Sequence, residues 1–238
     1  MENFPIPIII LFILTVAATV WLFLKASGYS IRFMALVTVW IIIQSILGHY
    51  GFYTNWEAIP PRLLLLIVPP VLLILIMFIT RRGREFIATL NIETLTILHT
   101  IRIPIEITLY YIFIAKLIPR SMTFEGSNFD IISGITAPVI YYLVFVSKKV
   151  SQKVLLAWNF LCLGLLLNVV ITAILSAKTP FQKFAFEQPN VGVTYFPFVL
   201  LPCVVVPIVL FSHLASILQI IRRLKINRTN PAPGLSTS

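Results

Sequence analysis

The sequence predicts an all-α integral membrane protein, a bundle of seven transmembrane helices with its N-terminus outside and its C-terminus in the cytoplasm. Three observations predict it. Of the 238 residues, 59% are hydrophobic and only 11% are charged, too little polar surface to cover a water-soluble globule. Apolar runs recur at close to the ~20 residues that a helix needs to cross a hydrocarbon core. Lysine and arginine gather at alternate ends of those runs, the pattern that sets membrane orientation. The runs are continuous, as at 63–68 and 204–211, whereas the strands of a membrane barrel alternate apolar and polar positions. Only helices satisfy their own backbone in lipid over such stretches.

The spans follow in order. The first covers 5–24. The second covers 31–47, prolonged by the aromatic stretch 49–53. The third covers 61–80, and Pro69-Pro70 at its middle is expected to break it. The fourth lies within 86–117, the fifth at 131–147, the sixth at 154–176 and the seventh at 191–221. The connections are short, so residues 1–226 form one domain, followed by a polar, proline-containing cytoplasmic tail at 227–238. The first three residues carry Glu2 and no basic side chain, unlike the positive start of a signal peptide, so the first span is read as a retained helix. Asn227-Arg228-Thr229 matches a glycosylation pattern, but the orientation puts it in the cytoplasm.

Twelve of the eighteen basic residues fall at one end of the spans: Lys25, Arg32, Arg81, Arg82, Arg84, Lys148, Lys149, Lys153, Arg222, Arg223, Lys225 and Arg228. Five fall at the other end: Arg62, Lys116, Arg120, Lys178 and Lys183. The net charge of +10 is thus a topology signal and a means of touching anionic lipid, so the bilayer is the expected partner. Nucleic acid is excluded as a partner, because no basic folded surface exists to bind it.

The remaining arginine, Arg102, sits inside the fourth span with His99, Glu106 and Tyr110. At about 100° per residue these four share one face. They form a polar stripe about 16 Å long, which must point into the bundle or a wet cavity. Arg102 and Glu106 are four apart, the spacing of an intrahelical ion pair. Pro104 deprives the Thr100 carbonyl of its helical partner, so a kink is expected beside the stripe. His49 at the end of the second span, Asn168 in the sixth, and Glu125 and Asp130 in the loop after the fourth complete the candidate binding set. Each has a plainer reading. Asn168 can bond a neighbouring helix, Asp130 can cap the fifth span, and the stripe as a whole can serve only to lock helices together. Glu93 is expected to pair with the Arg81–Arg84 cluster, and His213 to lie at the interface.

Several chemistries are excluded. The last span has no lysine to hold retinal. There is no Cys-x-x-Cys, His-Glu-x-x-His, Gly-x-Ser-x-Gly or phosphate-cradling glycine loop. No metal and no cofactor are expected, and Cys162 and Cys203 are read as packing residues.

The stretches Leu98-His-Thr-Ile-Arg102-Ile-Pro104-Ile-Glu106-Ile-Thr-Leu-Tyr110, Met122-Thr-Phe-Glu125-Gly-Ser-Asn128-Phe-Asp130 and Ala157-Trp-Asn-Phe160 resemble a family of uncharacterised bacterial multi-spanning membrane proteins. That resemblance implies the bacterial cytoplasmic membrane and brings no activity with it. Pro104-Ile-Glu106 is also similar to the Pro-x-Glu-acidic motif of small membrane lycopene cyclases, with Ile107 in place of the second acid. The cyclase chemistry needs a protonated carboxylic acid, and Arg102 beside Glu106 works against it. Three functions fit the sequence. The leading one is binding or transport of a small polar or anionic molecule, or of protons, through an outward-facing pocket on the fourth span. The second is lipid or isoprenoid modification with Glu106 or His99 as acid/base. The third is a structural or assembly role without a ligand.

Overall fold

The computed structural model describes residues 4–229, and side chains through residue 226. The described residues contain helices and turns and no β-strand. In order, the helices are α1 (Ile6–Ala26), α2 (Ile31–His49), α3 (Leu64–Ile79), α4 (Arg81–Thr89) and α5 (Ile92–Leu98). A 3-10 turn (His99–Ile101) leads into α6 (Arg102–Ile114). Then come α7 (Ile131–Tyr141), prolonged by a π turn (Tyr142–Val146), α8 (Gln152–Ser176), and a π turn (Leu201–Val205) that opens α9 (Val206–Thr229).

Five helical segments are long and apolar enough to cross a membrane: Ile6–Ala26, Ile31–His49, Ile92–Ile114, Gln152–Ser176 and Leu201–Ile226. α3 with α4 makes a sixth only as a pair bent by 92°, and Ile131–Val146 is apolar but shorter. The structure therefore gives a helical bundle with five to six candidate spans, fewer than the seven expected from the sequence.

α1 turns one narrow stripe inward. In α1 the buried positions are Phe12, Thr15, Val16, Thr19, Phe23 and Ala26, one face at helical spacing. Thr15 and Thr19 donate to the carbonyls of Leu11 and Thr15, both at 2.7 Å, so neither hydroxyl is left unpaired. Trp21 on the opposite face is 53% exposed, which suits contact with hydrocarbon. α9 is the most enclosed helix, and Phe198, Val199 and Ala215 beside or on it are fully buried.

The prolines act differently from expectation. Pro69-Pro70 do not break α3. They are its sixth and seventh residues, and they leave the carbonyls of Leu65 and Leu66 without their helical donors. The bend comes at Thr80, whose Oγ1 accepts from Gly83 N at 3.2 Å. A Cβ on Gly83 would lie 2.2 Å from the Met77 carbonyl oxygen, so only glycine allows this fold-back. Arg84 Nη1 then donates to the Ile79 carbonyl at 2.7 Å and caps α3. α4 carries exposed Arg81, Arg82 and Arg84 on one face and buries Gly83 and Ile87 on the other, the pattern of a helix lying in a membrane interface. Gln219 Nε2 of α9 holds its end by donating to the Ile87 and Leu90 carbonyls at 2.6 and 2.9 Å. Arg81 pairs with Glu85, not with Glu93. In α9, Pro207 cannot donate to the Cys203 carbonyl, and Trp40 Nε1 does so instead at 2.9 Å.

The last span differs most. Its helix begins at Leu201, not 191. Residues 191–200 are apolar and largely buried but form turns, tied down by Val191 N and Gly192 N donating to the Leu117 carbonyl at 2.9 and 2.7 Å. The tail expected at 227–238 begins within α9, and 230–238 lie outside the described residues.

Candidate functional site

α5, the 3-10 turn and α6 form one line through the bundle, with the turn just ahead of Pro104. The tightening falls at His99–Ile101, where the carbonyl freed by Pro104 also lies. It sets His99, Arg102 and Glu106 inward, at 0, 2 and 1% exposure.

Arg102 and Glu106 do not pair with each other. Arg102 Nη1 forms a salt bridge with Asp130 Oδ1 and also reaches the Cys162 carbonyl at 3.4 Å. Its Nη2 meets His213 Nε2 at 3.1 Å. Glu106 instead receives Asn128 Nδ2, 2.8 Å from each carboxylate oxygen. Asn128 Oδ1 accepts from Asp130 N at 3.0 Å, so Asn128 and Asp130 make one turn that serves both charged residues of α6. The intrahelical pair loses because taking a guanidinium and a carboxylate out of water costs several kcal/mol per ion. Partners from another segment supply better-directed bonds and leave Glu106 its own donor.

The sequence puts His213 at the interface, yet it is fully buried and stacks on His99, with ring centroids 3.8 Å apart and planes 11° apart. The shift follows from the late start of α9, which moves position 213 to mid-helix. Its tautomer can be read from its neighbours. Asn159 Nδ2 donates to the Leu155 carbonyl at 2.9 Å, so Asn159 Oδ1 faces His213 Nδ1 at 2.9 Å as an acceptor. Nδ1 therefore carries the hydrogen, and Nε2 offers its lone pair to Arg102. Trp158 meets His99 edge-on at 5.6 Å and donates to Thr136 Oγ1 at 2.9 Å. Both ring nitrogens of His99 and Nε of Arg102 are buried without a hydrogen-bond partner among the described residues.

The cover over this site comes from the segment after α6. Met122 accepts a contact from Ser176 Oγ at 3.7 Å, and Ser127 O accepts from Asn168 Nδ2 at 2.8 Å. Arg102, holding Asp130, touches the Cys162 carbonyl. Positions 176, 168 and 162 descend α8 by about 21 Å, so residues 122–130 run down into the bundle and α7 starts partway through it. Met122, Thr123, Asn128 and Asp130 turn inward and are buried, while Phe124, Glu125, Ser127 and Phe129 of the same segment are exposed. Gly126 makes the descent feasible, since a Cβ there would lie 2.3 Å from the Arg120 carbonyl oxygen.

Of the candidate residues, His99, Arg102, Glu106 and Asp130 come together. Asn168 is exposed and only anchors the descending segment, and Glu125 is exposed beside it. Tyr110 stacks on Phe124 at 5.1 Å, away from the charges. His49 is exposed at the end of α2 and packs edge-on to Tyr50 and Phe196. The network adds Asn128, Asn159, Trp158 and His213. Among the described residues no three His, Cys, Asp or Glu side chains converge to hold a metal.

Long apolar helices around a buried charged network define an all-helical bundle whose candidate spans are compatible with a membrane protein. The chain belongs to the domain-of-unknown-function family DUF8737, whose pattern matches residues 59–221. That match includes Arg102, Glu106, Asn128, Asp130, Asn159 and His213 and leaves out α1 and α2. No curated protein and no solved structure matches the chain.

Proposed function

We propose that this protein crosses the bacterial cytoplasmic membrane seven times, N-terminus outside, and binds or transports a small polar or anionic solute, or protons, at the Arg102 site. α3 and the re-entrant segment with α7 supply the two crossings that are short or bent. The basic ends of α4, α7 and α9 supply the orientation.

One observation carries the functional reading. A single short segment, 122–130, provides both Asp130 to Arg102 and Asn128 to Glu106. Withdrawing it uncovers a guanidinium and a carboxyl together, and Asp130 occupies the place an incoming anion takes on Arg102. The site is then an occluded one, closed from the end at which the α6–α7 connection lies. Glu106 is the carboxyl in contact with a neutral donor, Asn128 Nδ2, instead of a cation.

The test is flux into proteoliposomes loaded with a pH-sensitive dye, under an imposed pH step and with acetate, chloride or inorganic phosphate supplied outside. The expected result is a proton or anion flux that falls at least tenfold in Arg102→Met and Glu106→Gln protein of unchanged size-exclusion profile. Flux equal to that of protein-free liposomes overturns the reading. The structural role is the second reading, favoured by the protein partners that both Nη atoms of Arg102 already have. It predicts that replacing Arg102 and Asp130 together leaves cellular function intact.

A further inference from the structure

Above Asp130 lies a cleft of about 130 Å³ between α3, α6, α8 and α9. Its walls are aliphatic, with Ile67, Leu109, Leu167 and Val170 among them. Asp130 and Asn190 are the polar side chains that line it, at opposite ends. Asn190 is placed at the level of Ala173 by Nδ2 donating to that carbonyl at 3.0 Å, and Asp130 at the level of Cys162. The two ends are thus about 16 Å apart along α8.

Asn190 is 2% exposed, and its Oδ1 has no hydrogen-bond donor among the described residues. The bond from Nδ2 to Ala173 fixes which amide atom is left over, so the orphan is an acceptor. A buried orphan acceptor is costly; a hydrogen-bond donor satisfies it, and between aliphatic walls a neutral donor avoids the cost of desolvating a charge. A phosphate head brings only acceptor oxygens and does not satisfy it. The mouth between α3 and α8 is framed by partly exposed Ile67 and Val170 and exposed Leu167, side chains suited to hydrocarbon contact.

We propose that this cleft binds a single-chain membrane amphiphile with a hydroxyl head. The head donates to Asn190 Oδ1, and part of the chain lies along the aliphatic walls toward Asp130. The volume is close to the ~150 Å³ of an apolar cavity that accepts a benzene ring. About one short chain segment fits inside, and the rest passes through the mouth into the bilayer. The ligand enters sideways from lipid, a route separate from the aqueous one of the preceding reading, on which this inference rests only for the chain lying in a bilayer.

The experiment uses full-length protein in lipid nanodiscs with a diazirine-bearing long-chain alcohol, and its methyl ether as the donor-free control. Adducts are mapped by mass spectrometry. The expected adducts fall on Ile67, Leu167 and Val170, with about tenfold less labelling by the ether, the effect of one lost hydrogen bond. Asn190→Leu should equalise the two probes. Val170→Trp, which fills the cleft and leaves Asn190 in place, should abolish labelling by both. Equal labelling by alcohol and ether in the wild type, or adducts spread over the exposed faces of α2 and α3, overturns the proposal. Labelling is read without flux, so an unlabelled cleft with Arg102-dependent flux sinks this inference alone. A labelled cleft with Arg102-independent flux sinks only the preceding one.

Discussion

Removing one partner of the Arg102–Asp130 pair should cost far more than removing both. In Arg102→Met, Asp130 loses its counter-ion and keeps one marginal donor, Ser133 Oγ at 3.4 Å. In Asp130→Asn, the guanidinium keeps His213 and the Cys162 carbonyl but no carboxylate bonded to it. Breaking a buried pair from one side costs about 3–5 kcal/mol, whereas replacing both partners by neutral groups of similar volume is often near neutral. The Arg102→Met/Asp130→Asn protein should therefore be destabilised by less than either single variant. A double-mutant cycle, read from equilibrium unfolding in mixed micelles, should give a coupling of about 3 kcal/mol or more. The parallel cycle with Glu106→Gln should give no more than about 1 kcal/mol, because Glu106 bonds Asn128 and not Arg102. A Glu106 coupling equal to or larger than that of Asp130 refutes the reasoning, as does an Arg102→Met protein as stable as the wild type.

Other consequences are as direct. Gly126→Ala places a Cβ against the Arg120 carbonyl, so the 122–130 segment should lose its seat; limited proteolysis should cut that loop in the variant and not in the wild type. Trp40→Phe leaves the Cys203 carbonyl without its donor and should lower unfolding stability by about 1–3 kcal/mol, with little effect if water replaces the indole. Burial pushes the Tyr53 phenol up to about 12. Its neutral form is the one the fold holds, donating to Gln44 Oε1, so its contribution is intact below pH 10 and lost as pH rises from 10 through 12. Thermal melting should fall over that window, and less steeply in Tyr53→Phe. Cys162 and Cys203 are both free and buried, so maleimide should modify neither in native membranes and both after denaturation.

The polar stripe was legible because charged residues amid aliphatics stand out, and helical spacing alone puts His99, Arg102 and Glu106 on one face. Their true partners were not, because Asn128 and Asp130 read as an ordinary loop between two spans. Nothing in hydropathy distinguishes a loop that leaves the bundle from one that turns back into it. The place of His213 was hidden for a related reason. The apolar run from 191 looks like helix, yet residues 191–200 are buried turns, and the ten-position shift moves His213 from the rim to the middle. The spacing of His213, Ser216 and Gln219, all buried on one side of α9, was the signal that a polar face pointed inward. The bend at Thr80 was obscured by Pro69-Pro70, the more conspicuous breaker. Gly83 and the cap from Arg84 mark the actual site.

The descent of 122–130 along α8 is tested most directly by cross-linking. With Cys162 and Cys203 replaced by alanine, Ser127→Cys and Asn168→Cys should join under mild oxidation in membranes, since Asn168 Nδ2 lies 2.8 Å from the Ser127 carbonyl oxygen. An efficient intramolecular bond is expected, and Gly126→Ala should diminish it. No bond, together with full labelling of the thiol introduced at position 127 by a membrane-impermeant maleimide, would contradict that descent.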